Sequence, residues 1–252
     1  MVKFGRPADL RISVFRYRYQ WNHCDVLCRE IRVISQKFYE VIYRRRDVRA
    51  EFTGGAVDPE VLFRVLSAAN AAPSVGMSQP WDLILVEDMP LRARFAEHVE
   101  QERVAFAALL QGDRLSTFER IKIEGILDSS LGIVVTYDSD RGAPAVLGRN
   151  TIDDAGLYSV CLAIENLWLA ATNEGMGVGW VSFYKEEYLA ELMDLPKHVR
   201  PIAWLCFGPV THLEETPDLE RLGWESRTSL KSHVFSNRYG SEEGLNKWQL
   251  QG

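Results

Sequence analysis

The sequence predicts an α+β domain, a central sheet of four or five strands flanked by helices. Three observations carry this expectation. Helical and strand patterns follow one another in the order helix, strand, two helices, strand, helix, strand, helix, strand. The run 201–208, PIAWLCFG, is short and almost wholly apolar, as a strand covered on both faces should be. The stretch 157–171, LYSVCLAIENLWLAA, is apolar nearly all round its helical projection, which predicts a helix buried against that sheet. With 252 residues, 46% of them hydrophobic and 25% charged, the chain suffices for one large domain.

Residues 1–36 are rich in arginine and aromatics (Phe15, Tyr17, Tyr19, Trp21) and lack clear periodicity; we expect an N-terminal extension to a domain at 37–240. A short helix at 37–43 leads into YRRRDVRAEF, residues 43–52. Asp58 and Pro59 form an N-cap and first helical position, and the helix they open must stop near Pro73. PSVGMSQPW, 73–81, reads as a loop, followed by a strand at 83–87, helices at 91–110 and 115–127, and a strand at 132–137. DSDRGAPAVLGRN, 138–150, is a loop broken by Gly142, Pro144 and Gly148. Asp153 or Asp154 caps the buried helix, which runs to about Asn173; Gly175 and Gly177 end it and admit a strand at 178–183. A short helix at 186–193 and the strand at 201–208 follow. From Thr211 the chain is polar and reads as extended, with Trp224, Arg227, His233 and Phe235 as its anchors, and 241–252 is a polar tail.

Several function classes recede. A net charge of −6 argues against general nucleic-acid binding, so the basic cluster at 44–49 is a local feature. Cys161 and Cys206 lie in apolar runs and read as buried thiols, which suits a reducing cytoplasm. Cys24 and Cys28 could share a helix face beside His23, but no second pair supports a zinc site; His98, His198, His212 and His233 are scattered, and no metal is expected. No apolar segment follows the basic N-terminus, and no run of about 18 apolar residues occurs, so neither a secretory leader nor a membrane span is expected. GMGVG, 175–179, follows a helix rather than a strand, so no dinucleotide-binding fingerprint is present.

The chemistry concentrates at Arg44, Arg45, Arg46 and Arg49, which surround Asp47. Guanidinium forks suit phosphate oxygens, whereas a carboxylate among them repels an anion. From the residues alone this is either an anion site with an acid built into it or a solvated basic turn. Trp81 and Trp180 read first as core, and Ser182 as a hydroxyl satisfying a strand-end backbone group.

RRDVR (45–49), APSVGMSQPW (72–81), DSDRGAPAVLGR (138–149), LYSVCLAIENLWLAA (157–171) and GVGWVSF (177–183) together resemble the nitroreductase-like flavoprotein family, and within it the 5,6-dimethylbenzimidazole synthases, over roughly residues 38–240. The resemblance implies an FMN-binding fold with a mostly antiparallel sheet and an extended C-terminal arm. It implies a homodimer with FMN at the interface, reduced FMN as substrate, O2 as co-substrate and a separate reductase supplying the flavin. Carried over to this sequence, Arg45, Arg46, Arg49 and Arg227 grip the phosphate. Val48, Pro73, Ser74, Met77, Gln79 and Trp180 lie along the flavin, the 138–149 loop joins its cover, and Asp47 and Ser182 serve the fragmentation. Ordinary nitroreductases carry Ser or Thr where this chain has Asp47. An NAD(P)H-dependent nitroreductase or flavin reductase and a non-catalytic flavin-binding protein remain open at this point.

Overall fold

A computed structural model describes residues 36–142 and 144–241; the expected extension up to residue 35, with His23, Cys24 and Cys28, and the tail from 242 lie outside them. The strands are β1 (Trp81–Val86), β2 (Leu131–Asp138), β3 (Met176–Val181) and β4 (Val199–Pro209). They form one sheet in the order β1-β2-β4-β3, every neighbouring pair antiparallel. The helices, in chain order, are α1 (Gln36–Arg44), α2 (Pro59–Asn70), α3 (Met89–Ala107), α4 (Gly112–Glu119), α5 (Ala155–Asn173), α6 (Glu186–Leu192) and α7 (Asp218–Arg221).

The pleat sorts the core into two layers. On β4, Ala203, Leu205 and Phe207 meet α2 and α5 on one face, while Trp204 and Cys206 meet α3, α4 and α6 on the other. This is why 201–208 is apolar without alternation. On the second face Phe95 stacks on Trp204, centroids 4.2 Å apart. Both are fully buried, each burial stabilising by about 2–3 kcal/mol. β2 makes room for Trp204 at Gly132, where any Cβ would strike the indole. The α2 start behaves as its sequence dictates: Asp58 accepts a 2.8 Å bond from Glu60 N–H, with Pro59 at the first turn.

Three expectations need correction. The helix expected over 115–127 is only α4, ending at Glu119. Beyond it Ile121 and Ile123 are buried while Lys122 is exposed, an alternation suited to extended chain. The buried Arg92 guanidinium takes the carbonyls of Ile126, Ser129 and Ser130, so that α3 holds this segment out of a helix of its own. Next, α5 is not buried all round: Tyr158, Cys161, Leu162 and Glu165, spaced along one stripe, are exposed. Cys161, expected inside, is therefore outside, whereas Cys206 is buried as expected. By length and composition α5 could cross a membrane, yet half of its apolar window is buried within the fold. Finally, the arm after Thr211 is not merely extended. It forms α7 and then docks Trp224 against α3 and α4, where Phe106 and Phe118 lie 6.5 and 6.0 Å from the indole.

Candidate functional site

The arginine stretch leaves α1 at Arg44 and lies against the outer edge of β3. Asp47 forms a parallel bridge with Val178, and Val48 N–H donates to Val178 O at 2.9 Å. So close an approach demands missing side chains. A Cβ at Gly179 would land on Val48 O, and one at Gly177 would strike Val210, Phe52 and Val48. Only Gly175, at φ +76°, serves as the expected helix stop. The glycines of GMGVG thus divide into one that ends α5 and two that admit the arginine segment.

α5 supports the same segment from below. Trp168 Nε1–H donates to Arg46 O at 3.0 Å, and the Arg45 guanidinium lies 4.9 Å from the Trp168 ring centroid. Arg45 also stands 3.8 Å from Glu165. The Arg46 fork donates to the carbonyls of Tyr43 and Arg45, each at 2.7 Å, and to that of Glu215. Its buried Nε finds no acceptor among the described residues. Burial, followed by the charges of Arg227 and Arg45, pushes the Arg46 guanidinium below its ordinary value.

Asp47 is held by both neighbours. Its Oδ1 accepts from Trp180 N–H at 2.9 Å, and its Oδ2 accepts from Arg49 Nε and Nη2 at 3.1 and 2.5 Å. A carboxylate offers about four lone-pair positions. Three are used here, and the remaining one is on Oδ1.

Arg45, Arg46, Asp47, Val48, Arg49 and Arg227 share a pocket of about 190 Å³. All four expected phosphate ligands therefore converge, although Arg227 lies 178 positions from Arg49 in the sequence. Glu51, on the arginine segment itself, and Glu214, Pro217, Asp218 and Leu219 from the arm complete the lining, and the arm's share was not anticipated. Its only sequence signal is the acidic run EETPD at 214–218, which reads as solvated surface. Trp168 was likewise hidden within the apolar pattern of its helix.

The remaining expected residues lie elsewhere. Ser182 follows β3 and is exposed. Trp180 reaches Asp47 through its backbone N–H while its side chain packs on the first core. Pro73, Ser74, Met77 and Gln79 precede β1, three strand spacings from β3, or roughly 14 Å across the sheet. α5 gives the same separation. Val75 N–H bonds to Ser159 Oγ while Arg46 O bonds to Trp168, nine residues further on, about 13.5 Å along the axis. The 73–79 loop carries strain, with Met77 and Gln79 at φ 55° and 44°. Ser74 Oγ accepts from Gln79 N–H at 3.0 Å, and Arg141 clamps the carbonyls of Gln79 and Trp81. The 138–149 loop thus packs on the 73–79 loop, where Val146 and Leu147 crowd Gly76.

Comparison with known proteins gives this geometry a family. The model of the nitroreductase family matches residues 42–209. The chain is 38% identical over 183 residues to 5,6-dimethylbenzimidazole synthase of Rhodospirillum rubrum, covering 73% of this chain and 86% of that one. It is 33% identical over 186 residues to the synthase of Rhodobacter capsulatus, covering 74% and 89%. Among solved structures, oxidized iodotyrosine deiodinase bound to FMN and 3-iodo-L-tyrosine superposes with a TM-score of 0.62 at 21% identity, over 81% of this chain and 99% of that one. That likeness is one of fold. On the family match and these relatives, the chain is an enzyme of the nitroreductase family and belongs, within it, with the 5,6-dimethylbenzimidazole synthases.

Proposed function

We propose that this protein takes reduced FMN as its substrate and, with O2, fragments it to 5,6-dimethylbenzimidazole, the lower ligand of vitamin B12, and erythrose 4-phosphate. The observation that carries this reading is the convergence of Arg45, Arg46, Arg49 and Arg227 on one pocket that also holds the Asp47 carboxylate. Among the described residues the Arg46 Nε has no acceptor, so this cluster keeps a donor uncommitted. A neutral donor at position 47 would serve simple flavin binding equally well; an acceptor serves proton removal.

The arginines hold the phosphate and fix the ribityl chain without entering the chemistry. Asp47 keeps one acceptor position on Oδ1, enough to take a proton from a sugar hydroxyl as its C–C bond breaks. Ser182, exposed just beyond the end of β3 and two residues after Trp180, positions or relays a proton in this reading. Val48 and Trp180 line the flavin beside them.

Pro73, Ser74, Met77 and Gln79 of the same chain stand about 14 Å from the arginine segment, and in this reading they reach the flavin from a second copy. The exposed α5 stripe of Tyr158, Cys161 and Leu162, with Met77 and Leu147 nearby in the loops, supplies an apolar surface for that copy. The protein then acts as a homodimer with FMN at the interface. Reduced flavin arrives from a separate reductase, in keeping with the missing dinucleotide fingerprint, in the reducing cytoplasm that suits free thiols. Purified protein mixed with reduced FMN in air should yield dimethylbenzimidazole by mass spectrometry; clean reoxidation to FMN without fragments would overturn the reading.

A further inference from the structure

Arg227 is exposed and lies in a stretch, 223–229, without helix or strand, yet it must stand at the arginine pocket. Something has to hold it there. The nearest fixed point is Trp224, three residues earlier, at most about 10 Å of extended chain away. The Trp224 ring sits against Phe106 and Phe118, and the Arg114 guanidinium covers it at 3.5 Å. Arg114 also donates to Trp224 O at 2.6 Å, Arg120 donates to Leu222 O at 3.1 Å, and Trp224 N–H closes back on Leu219 O at 2.7 Å. This last bond ties the anchor to Leu219, which with Pro217 and Asp218 lines the pocket that the arginines share.

We infer that Trp224 is a positioning residue. Docked between α3 and α4 and capped by Arg114, it sets both Arg227 and the 217–219 wall on the anion pocket, and so governs affinity for the phosphate end of the ligand. The same aromatic cluster includes Phe183, 5.5 Å from Phe106 and 6.0 Å from Phe118, and Phe183 directly follows Ser182. Arm and β3 exit therefore share one packed slot. The inference rests on the reading of the pocket as a phosphate site.

The test compares FMN with riboflavin, which lacks the phosphate, by fluorescence titration of the full-length protein. Trp224→Ala should weaken FMN binding on the order of tenfold while riboflavin binding stays within about twofold, because only the phosphate contacts lose their frame. Trp224→Phe should restore most of the difference. Arg114→Ala, which removes the cap from an exposed position, should give an intermediate loss and covers the case in which Trp224→Ala does not fold. FMN binding unchanged in both Arg114→Ala and Trp224→Ala, or an equal loss for the two flavins, would overturn the inference. Wild-type protein binding FMN no better than riboflavin would instead sink the phosphate reading on which it rests.

Discussion

Asp47 Oδ1 and the backbone N–H of Trp180 meet at 2.9 Å, and this bond, with that from Val48 N–H to Val178 O, fastens the arginine segment to the edge of β3. Gly179 lies between the two points. Its Cβ would occupy the position of Val48 O, a backbone atom that cannot rotate aside. Gly179→Ala should therefore cost about 2–3 kcal/mol in chemical denaturation and weaken FMN binding with it. An alanine variant with wild-type stability would mean that the segment lies elsewhere.

Arg227 should separate binding from stability. It is exposed, so Arg227→Gln should shift unfolding by no more than about 0.5 kcal/mol. The Kd for FMN should rise about tenfold in the same variant, with a shallower dependence on salt. Isothermal titration at two ionic strengths reads both effects.

Arg92 is buried and donates to Ile126, Ser129 and Ser130, an arrangement that stands where helix was expected beyond α4, up to 127. Arg92→Met keeps the stem but leaves the Ser129 and Ser130 carbonyls without this donor and Ile126 O with only the Ser129 hydroxyl, at about 1–3 kcal/mol for each buried group stranded. A loss of roughly 3 kcal/mol or more is expected. Arg92→Lys should recover little, since an ammonium lacks the planar fork.

His98 gives stability a pH dependence. Its Nε2 accepts from Lys185 N–H at 3.1 Å, and its ring stacks on Tyr188 at 3.8 Å. Burial, with Lys185 adding to it and Glu102 opposing, holds its pKa below the ordinary histidine value. The unfolded chain takes up this proton near pH 6.5, the folded chain only at lower pH. Stability from this group is therefore complete above about pH 6.5 and lost as pH falls toward the folded value, with a slope of at most about 1.4 kcal/mol per pH unit. Denaturant unfolding between pH 7 and 5.5 should show that slope in the wild type, and His98→Gln should flatten it.

Much of the fold was legible because its signals are local. Asp58-Pro59, the Gly175 stop and the apolar run of β4 each declare themselves within a few residues. The 115–127 stretch misled because its fate is decided by Arg92, a buried cation on another element that no local pattern reveals. Cys161 and Leu162 look like core in composition, and only the packing of α5 shows which side of the helix faces outward. In the site, RRDVR stood out as a basic cluster around an acid but left an anion site and a solvated turn open, and the family resemblance supplied Arg227. The lining at 214–219 was not legible, because its place at the arginine pocket is a matter of long-range packing, as is the docking of Trp224 on Phe106 and Phe118, more than a hundred positions away.

The most direct test of the catalytic claim is one paired measurement: dimethylbenzimidazole formed from reduced FMN in air by the wild type and by Asp47→Asn, with FMN binding measured on the same samples. The asparagine keeps the shape, and its side-chain oxygen can still accept from Trp180 N–H; its amide NH2 gives up the bonds from Arg49, and it cannot take up a proton. The wild type should give product, while Asp47→Asn should bind FMN within a fewfold of wild type and give none. Equal product from the two proteins, or none from the wild type, would contradict the account.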